Sequence, residues 1–126
     1  MYKFRYYRMD QEEKRKVIEK LREVLQAEGI RLAILFGSFI EAESFRDIDI
    51  AIYLEDPQDL DRVLEIGMRL EEKLDIPIDV APLQFLSPRF RLKVLTKGLP
   101  IIEESGLYEA MLIQTLDELI IMSEDK

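Results

Sequence analysis

The stretch Asp47 to Leu54 (DIDIAIYL) alternates without a break. Successive side chains of a strand point to opposite faces. Ile48, Ile50, Ile52 and Leu54 therefore share one face, and Asp47, Asp49, Ala51 and Tyr53 share the other. A face made only of Ile and Leu must be buried, which fixes the strand's orientation in any fold. The opposite face then carries two acids in a context that strands usually avoid. Carboxylates at i and i+2 lie roughly 6.5–7 Å apart along the backbone. So close, they repel unless they are solvated, protonated or bridged by a cation. A solvated strand end and a cation site both satisfy that condition.

The neighbouring segments place this strand in a sheet. Leu32 to Phe36 (LAILF) is continuously apolar, the pattern of a strand covered on both faces. Only ten residues, 37–46, separate the two runs, too few for an ordinary parallel crossover, so the pair is expected to be antiparallel. Ile76 to Leu83 (IPIDVAPL) reads as a third strand with one charge, Asp79. Leu99 to Ile102 reads as a short edge strand, and the mixed aromatic and basic segment Met1 to Met9 as another or as an arm.

Helical spacing accounts for the rest. Asp10 and Glu13 form a capping-box pattern before Val17, Leu21, Val24 and Leu25, and Gly29 is the expected stop. Asp56-Pro57 is expected to cap and open a second helix bearing Leu60, Val63, Leu64, Gly67, Leu70 and Leu74. Ser87-Pro88 opens a third, ending at Gly98, with Phe90 and Val94 on one face. Its Arg89, Lys93 and Lys97 form a basic stripe, either a solvated face or a steering surface for an anion. Residues 106–122 form the last helix, apolar on more than one face, so it is either buried in a cleft or a partner surface. The order predicts an α+β fold, a mixed sheet with helices packed on it, as one domain over 1–126.

Composition narrows the chemistry. The chain has no His and no Cys, which removes imidazole bases, thiolate nucleophiles and the softer metal ligands. With 18 Lys and Arg against 26 Asp and Glu, the net charge is −8, which argues against non-specific nucleic-acid binding. No apolar run approaches a membrane span, and no signal-like segment opens the chain, so a cytoplasmic location is expected.

Carboxylates, hydroxyls and hard cations remain. Asp79 can join Asp47 and Asp49 if its strand lies beside theirs; otherwise it is a buried acid bonded to a nearby amide. Gly37-Ser38 follows the buried strand directly. Glycine allows close backbone approach and positive φ, and successive backbone N–H groups after it can cradle phosphate.

The stretch LFGSFIEAESFRDIDIAIYL, followed by IDVAPL, resembles the polymerase-β-like nucleotidyltransferase superfamily. Within it, the chain is similar to the minimal nucleotidyltransferases (MNT) of bacteria and archaea, the antitoxin type paired with HEPN-domain toxins. The resemblance covers about residues 10–103, with helix 106–122 as a possible interface. It implies that Gly37 and Ser38 hold the β- and γ-phosphates of a nucleoside triphosphate. It further implies that Asp47, Asp49 and Asp79 are the catalytic and metal-binding acids, with two magnesium ions as cofactors, Asp79 also helping to activate the acceptor hydroxyl. The implied reaction moves AMP from ATP to a hydroxyl of a partner protein, a HEPN-type toxin. The alternative is a catalytically weak or inactive module of the same fold that neutralises its partner by contact, and the last helix is also a candidate homo-oligomer surface.

The chain departs from the family in the phosphate loop. Phe39-Ile40-Glu41-Ala42 stands where the common pattern has Ala-Arg-Gly, and only eight residues, Phe39 to Arg46, precede Asp47. A cation is lost and two acids, Glu41 and Glu43, are gained. Arg46 is a candidate replacement for that charge.

Overall fold

The computed structural model describes residues 5–124. The apolar run becomes the central strand β2 (Leu32–Phe36), and the alternating run becomes β4 (Ile48–Ile52). They pair antiparallel, with Leu35 opposite Ile50 and Phe36 opposite Asp49. On its other side β2 pairs antiparallel with β6 (Leu99–Glu103), with a register shift between Ala33 and Ile34. Pro100 is tolerated there because β6 is an edge strand. The other edge is β5 (Ile78–Pro82), which runs parallel to β4. The sheet order is β5-β4-β2-β6. A parallel pair needs a long crossover, and the segment between β4 and β5 supplies it as helix α3 (Leu60–Leu74).

Each face of the sheet has its own apolar layer. Helix α1 (Gln11–Ala27) and α3 cover one face, where Leu21, Leu25, Ile66 and Leu70 pack on Ile48, Ile50 and Ile52. Helices α4 (Pro88–Lys97) and α5 (Leu107–Glu124) cover the other, where Val94, Leu95 and Met111 pack on Ile34 and Ala51. A short helix α2 (Ser38–Glu41) follows β2 directly. A two-residue ribbon of β1 (Tyr7–Arg8) and β3 (Ser44–Phe45) closes the loop behind it. The expected edge strand at the N-terminus is thus realised at Tyr7–Arg8, while Tyr2, Lys3 and Phe4 of that expectation lie outside the described residues.

The Asp10–Glu13 capping box forms as expected. The start of α3 does not. Its N-cap is Asp59, whose side chain accepts from the Arg62 amide at 3.2 Å. Asp56 instead accepts from the Gln58 amide at 3.1 Å, and Asp59 N–H donates to the Asp56 carbonyl at 3.1 Å. Pro57 therefore sits inside a turn, the other position its fixed φ favours. The buried stripe of α3 is Val63, Ile66 and Leu70, and Leu64 is left 65% exposed.

Helix α5 buries only Met111 and Thr115. A buried arginine ties it to α4. Arg91, 2% exposed, donates to Thr115 Oγ1 at 2.7 Å and to the Gln84 and Leu86 carbonyls, and it pairs with Glu118. The opposite side of α5 is open, with Ile113 60% and Ile121 58% exposed. Among the described residues no helix is long and apolar enough to cross a membrane.

Replacing Arg91 with Met keeps the stem's volume but leaves two carbonyls and Glu118 without their shared donor. Urea unfolding is expected to show a loss of about 2 kcal/mol, the range for hydrogen bonds to a charged group.

Candidate active site

The pairing register builds the acidic cluster. Asp49 faces Asp79 directly across the parallel β4–β5 pair. Asp47 lies two residues before Asp49 and shares its face. Carboxylate oxygens of Asp47, Asp49 and Asp79 all lie within 4.8 Å of one another. Asp79 is exposed rather than buried, and Asp47 and Asp49 are half-buried. The three acids thus converge at the sheet's open corner, and Asp79 is not tied up on a buried amide.

Asp49 carries the cost of this arrangement. Burial in the sheet, then the charges of Asp47 and Asp79 and a hydrogen bond with Asp79, push its carboxyl up to about 6. A carboxylate raised by neighbouring carboxylates is a group short of positive charge. Three carboxylates so close, with oxygen-only donors, suit a hard divalent cation such as magnesium.

Gly37 sits against the same carboxylate. Its φ is +80°, and a Cβ at this position would strike Asp49 Oδ2. Only glycine meets both conditions, so the β2–α2 turn and the acid cluster are fitted to each other. Ser38 is the first residue of α2 and lies one residue from that contact.

The unusual residues after Ser38 anchor the loop. Phe39 is buried and meets Phe45 edge-to-face, with ring centroids 4.9 Å apart. Phe45 stacks in turn on Tyr7. Lys14, from the first turns of α1, donates to the Phe39 carbonyl at 2.7 Å and to the Ala42 carbonyl at 2.8 Å. Its ammonium also lies 5.4 Å from the Phe39 ring centre. Lys14 was not legible as a loop anchor, because its partners are carbonyls far along the chain and carbonyls carry no sequence signal. Arg46 lies over the Tyr6 ring at 5.7 Å.

Between this loop and α4 lies a cavity of about 200 Å³. Gly37, Asp49 and Glu41 line one side, and Phe90, Lys93 and Lys97 line the other. The basic stripe therefore divides: Lys93 and Lys97 reach the cavity wall, and Arg89 is not part of it.

The sequence of the polymerase beta nucleotidyltransferase family matches residues 19–106, the span that holds every one of these acids and Gly37-Ser38. The chain belongs to that family. No curated protein matches it. Among solved structures, it is similar to a chain of a toxin–antitoxin complex with AMP-PNP, at 24% identity and a TM-score of 0.74, covering 86% of this chain and 90% of that one. It is also similar to a chain of a Shewanella oneidensis complex of tri-AMPylated HEPN toxin with MNT antitoxin, at 23% identity and a TM-score of 0.73, covering 89% and 91%. A candidate minimal nucleotidyltransferase aligns at 27% identity and a TM-score of 0.61, covering 73% of this chain and 96% of its own. The fold of these structures is the polymerase-β-like nucleotidyltransferase fold, as the Gly-Ser and aspartate pattern implied.

Two outcomes follow from the geometry. Asp49 has a folded-state pKa above its unfolded value, so its contribution to stability is present below about pH 4 and is lost as pH rises through about 6. In metal-free protein, Asp49→Asn should therefore match wild type at pH 4. At pH 8 it should gain on the order of 1 kcal/mol in urea unfolding, after discounting for the group's partial exposure. Separately, Lys14→Met should speed hydrogen exchange at the amides of Ile40 to Ala42 while leaving exchange in β2 and β4 unchanged.

Proposed function

We propose that the chain is a metal-dependent nucleotidyltransferase that moves AMP from ATP onto a hydroxyl of a partner protein, and that the partner is a HEPN-type toxin for which it is the antitoxin. The observation that carries this reading is the in-register Asp49–Asp79 pair with Asp47 beside it, set against Gly37-Ser38. The family supports the reaction class. The AMP-PNP and AMPylated-toxin complexes among the similar structures support the nucleotide and the acceptor.

In this reading residues 1–126 act as one minimal domain. Gly37 brings the backbone close to the phosphates, and Ser38 adds a hydroxyl donor. Asp47, Asp49 and Asp79 would hold two magnesium ions, which would supply charge stabilisation for an in-line displacement. The acceptor oxygen bonds to the α-phosphorus, the bond to the bridging oxygen breaks, and pyrophosphate leaves. Asp79, the most exposed of the three acids, takes the acceptor's proton. Such transfer is mainly positioning and electrostatics, which is why a chain without His or Cys can perform it.

The partner surface in this reading is the open face of α5, where Ile113, Leu116, Ile120, Ile121 and Met122 are exposed. A second copy of the chain is the competing occupant. A second function is favoured by one observation: Glu41 stands on the cavity wall beside Asp49, an acid where a triphosphate needs a cation. Under that reading the fold neutralises its partner by contact alone.

The deciding experiment incubates a co-encoded HEPN-type protein with α-labelled ATP and magnesium. Label should pass to the partner with wild type and be lost with Asp47→Ala or Asp49→Ala. Neutralisation without label transfer, undisturbed by Asp49→Ala but abolished by charged substitutions at Leu116 and Ile120, would establish the contact-only reading instead.

A further inference from the structure

The cavity beside Asp49 has an unbalanced wall. The side formed by the phosphate loop is acidic, with Glu41 and Asp49 and no cation. Across it, α4 presents Lys93 and Lys97, one helical turn apart and so on one face. Among the described residues neither lysine makes a hydrogen bond or an ion pair. Several arginines, by contrast, are committed: Arg31, Arg62, Arg69 and Arg91 all reach carboxylates. The two ammonium groups are uncommitted, although acids stand on the facing wall.

The rest of the lining is apolar. Phe36 and Phe90 meet edge-to-face, with ring centroids 5.6 Å apart, and Val94 and Ile40 complete the lining. A cleft with low-dielectric walls focuses the field of the charges at its rim. Two cations that share a largely apolar cavity of about 200 Å³ with Gly37 match an elongated polyanion that starts at the Gly37 turn. A single carboxylate or monophosphate held at Gly37 would engage one end of the cavity only.

We propose that Lys93 and Lys97 grip the terminal phosphates of the nucleoside triphosphate and replace the cation missing from the loop after Ser38. The inference rests on the nucleotidyl-transfer reading and specifies which residues select a triphosphate over a monophosphate. It separates Lys93 and Lys97 from Arg89, which belongs to the same sequence stripe but not to the cavity. It also accounts for an active site that tolerates Glu41, because the positive charge comes from the opposite wall.

The test is calorimetry with magnesium, using ATP and AMP as probes, on wild type and on the Lys93→Gln, Lys97→Gln double variant. ATP binding should weaken at least about tenfold, the loss expected from removing charge-assisted contacts. AMP binding should change less than about twofold. Lys93→Arg with Lys97→Arg should keep ATP affinity, since charge and reach are retained. Arg89→Gln should bind as wild type does. Thermal unfolding of each variant at the wild-type midpoint confirms that the fold is intact. If the Gln variant binds ATP as wild type does, or loses ATP and AMP equally, the assignment of the lysines is overturned and the nucleotidyl-transfer reading stands. If wild type binds neither nucleotide, that reading itself fails, and the role of the lysines fails with it.

Discussion

Three carboxylates forced together at one corner of a sheet set the terms for everything near them. Asp49 lies in a strand whose other face must be buried, so it cannot turn away. Asp79 lies directly opposite in the neighbouring strand, so it cannot slide. A one-residue slip would carry Ile48 and Ile50 out of the core, and the apolar layer under β4 is what makes that prohibitive. The burial, first, and the repulsion that together raise Asp49 are thus held in place by hydrophobic packing on the far side of the same strand. The scaffold stores a demand for positive charge and keeps it at a fixed address.

The loop that faces the acids is held from outside the sheet. Phe39 and Phe45 are embedded in the core, and Lys14 closes the turn by binding two of its carbonyls. The aromatic residue that replaces a smaller one after Ser38 therefore adds anchorage where flexibility is lost. The turn is preorganised by contacts with α1 and β1 rather than by its own composition. The cations that border the cavity stand on a different element, α4, which packs on the same face of the sheet.

Much of this was legible from residue order. Strict alternation in DIDIAIYL placed both aspartates on one face, and the short connection to LAILF required an antiparallel pair. Asp79 was legible only as a conditional third member, since a buried acid bonded to an amide fitted its apolar neighbours as well, and the parallel β4–β5 register is what brings it beside Asp49. Other features were not legible, for physical reasons. Asp56-Pro57 and Asp59 are both plausible helix starts locally, and the difference lies in a turn hydrogen bond. Lys14 acts through backbone carbonyls that any residue provides. Nothing in the sequence sets Arg91 apart from the cations around it, yet it is the most buried charge described, because α5 folds back over it. The split of Lys93 and Lys97 from Arg89 depends on how α4 is rotated, which the stripe alone cannot specify.

Gly98 gives the cavity an unexpected mechanical property. It ends α4 with ordinary negative φ, yet a Cβ there would meet the Ile34 side chain and the carbonyls of Val94 and Leu35. The missing methyl group lets the helix end rest directly on the central strand. A side chain at this one position would have to push the helix end off the strand, and Lys97, the residue beside it, would be displaced relative to the aspartates. The distance of this cavity wall from the central strand is therefore set by a van der Waals contact, and altering it would require no change in any charged residue.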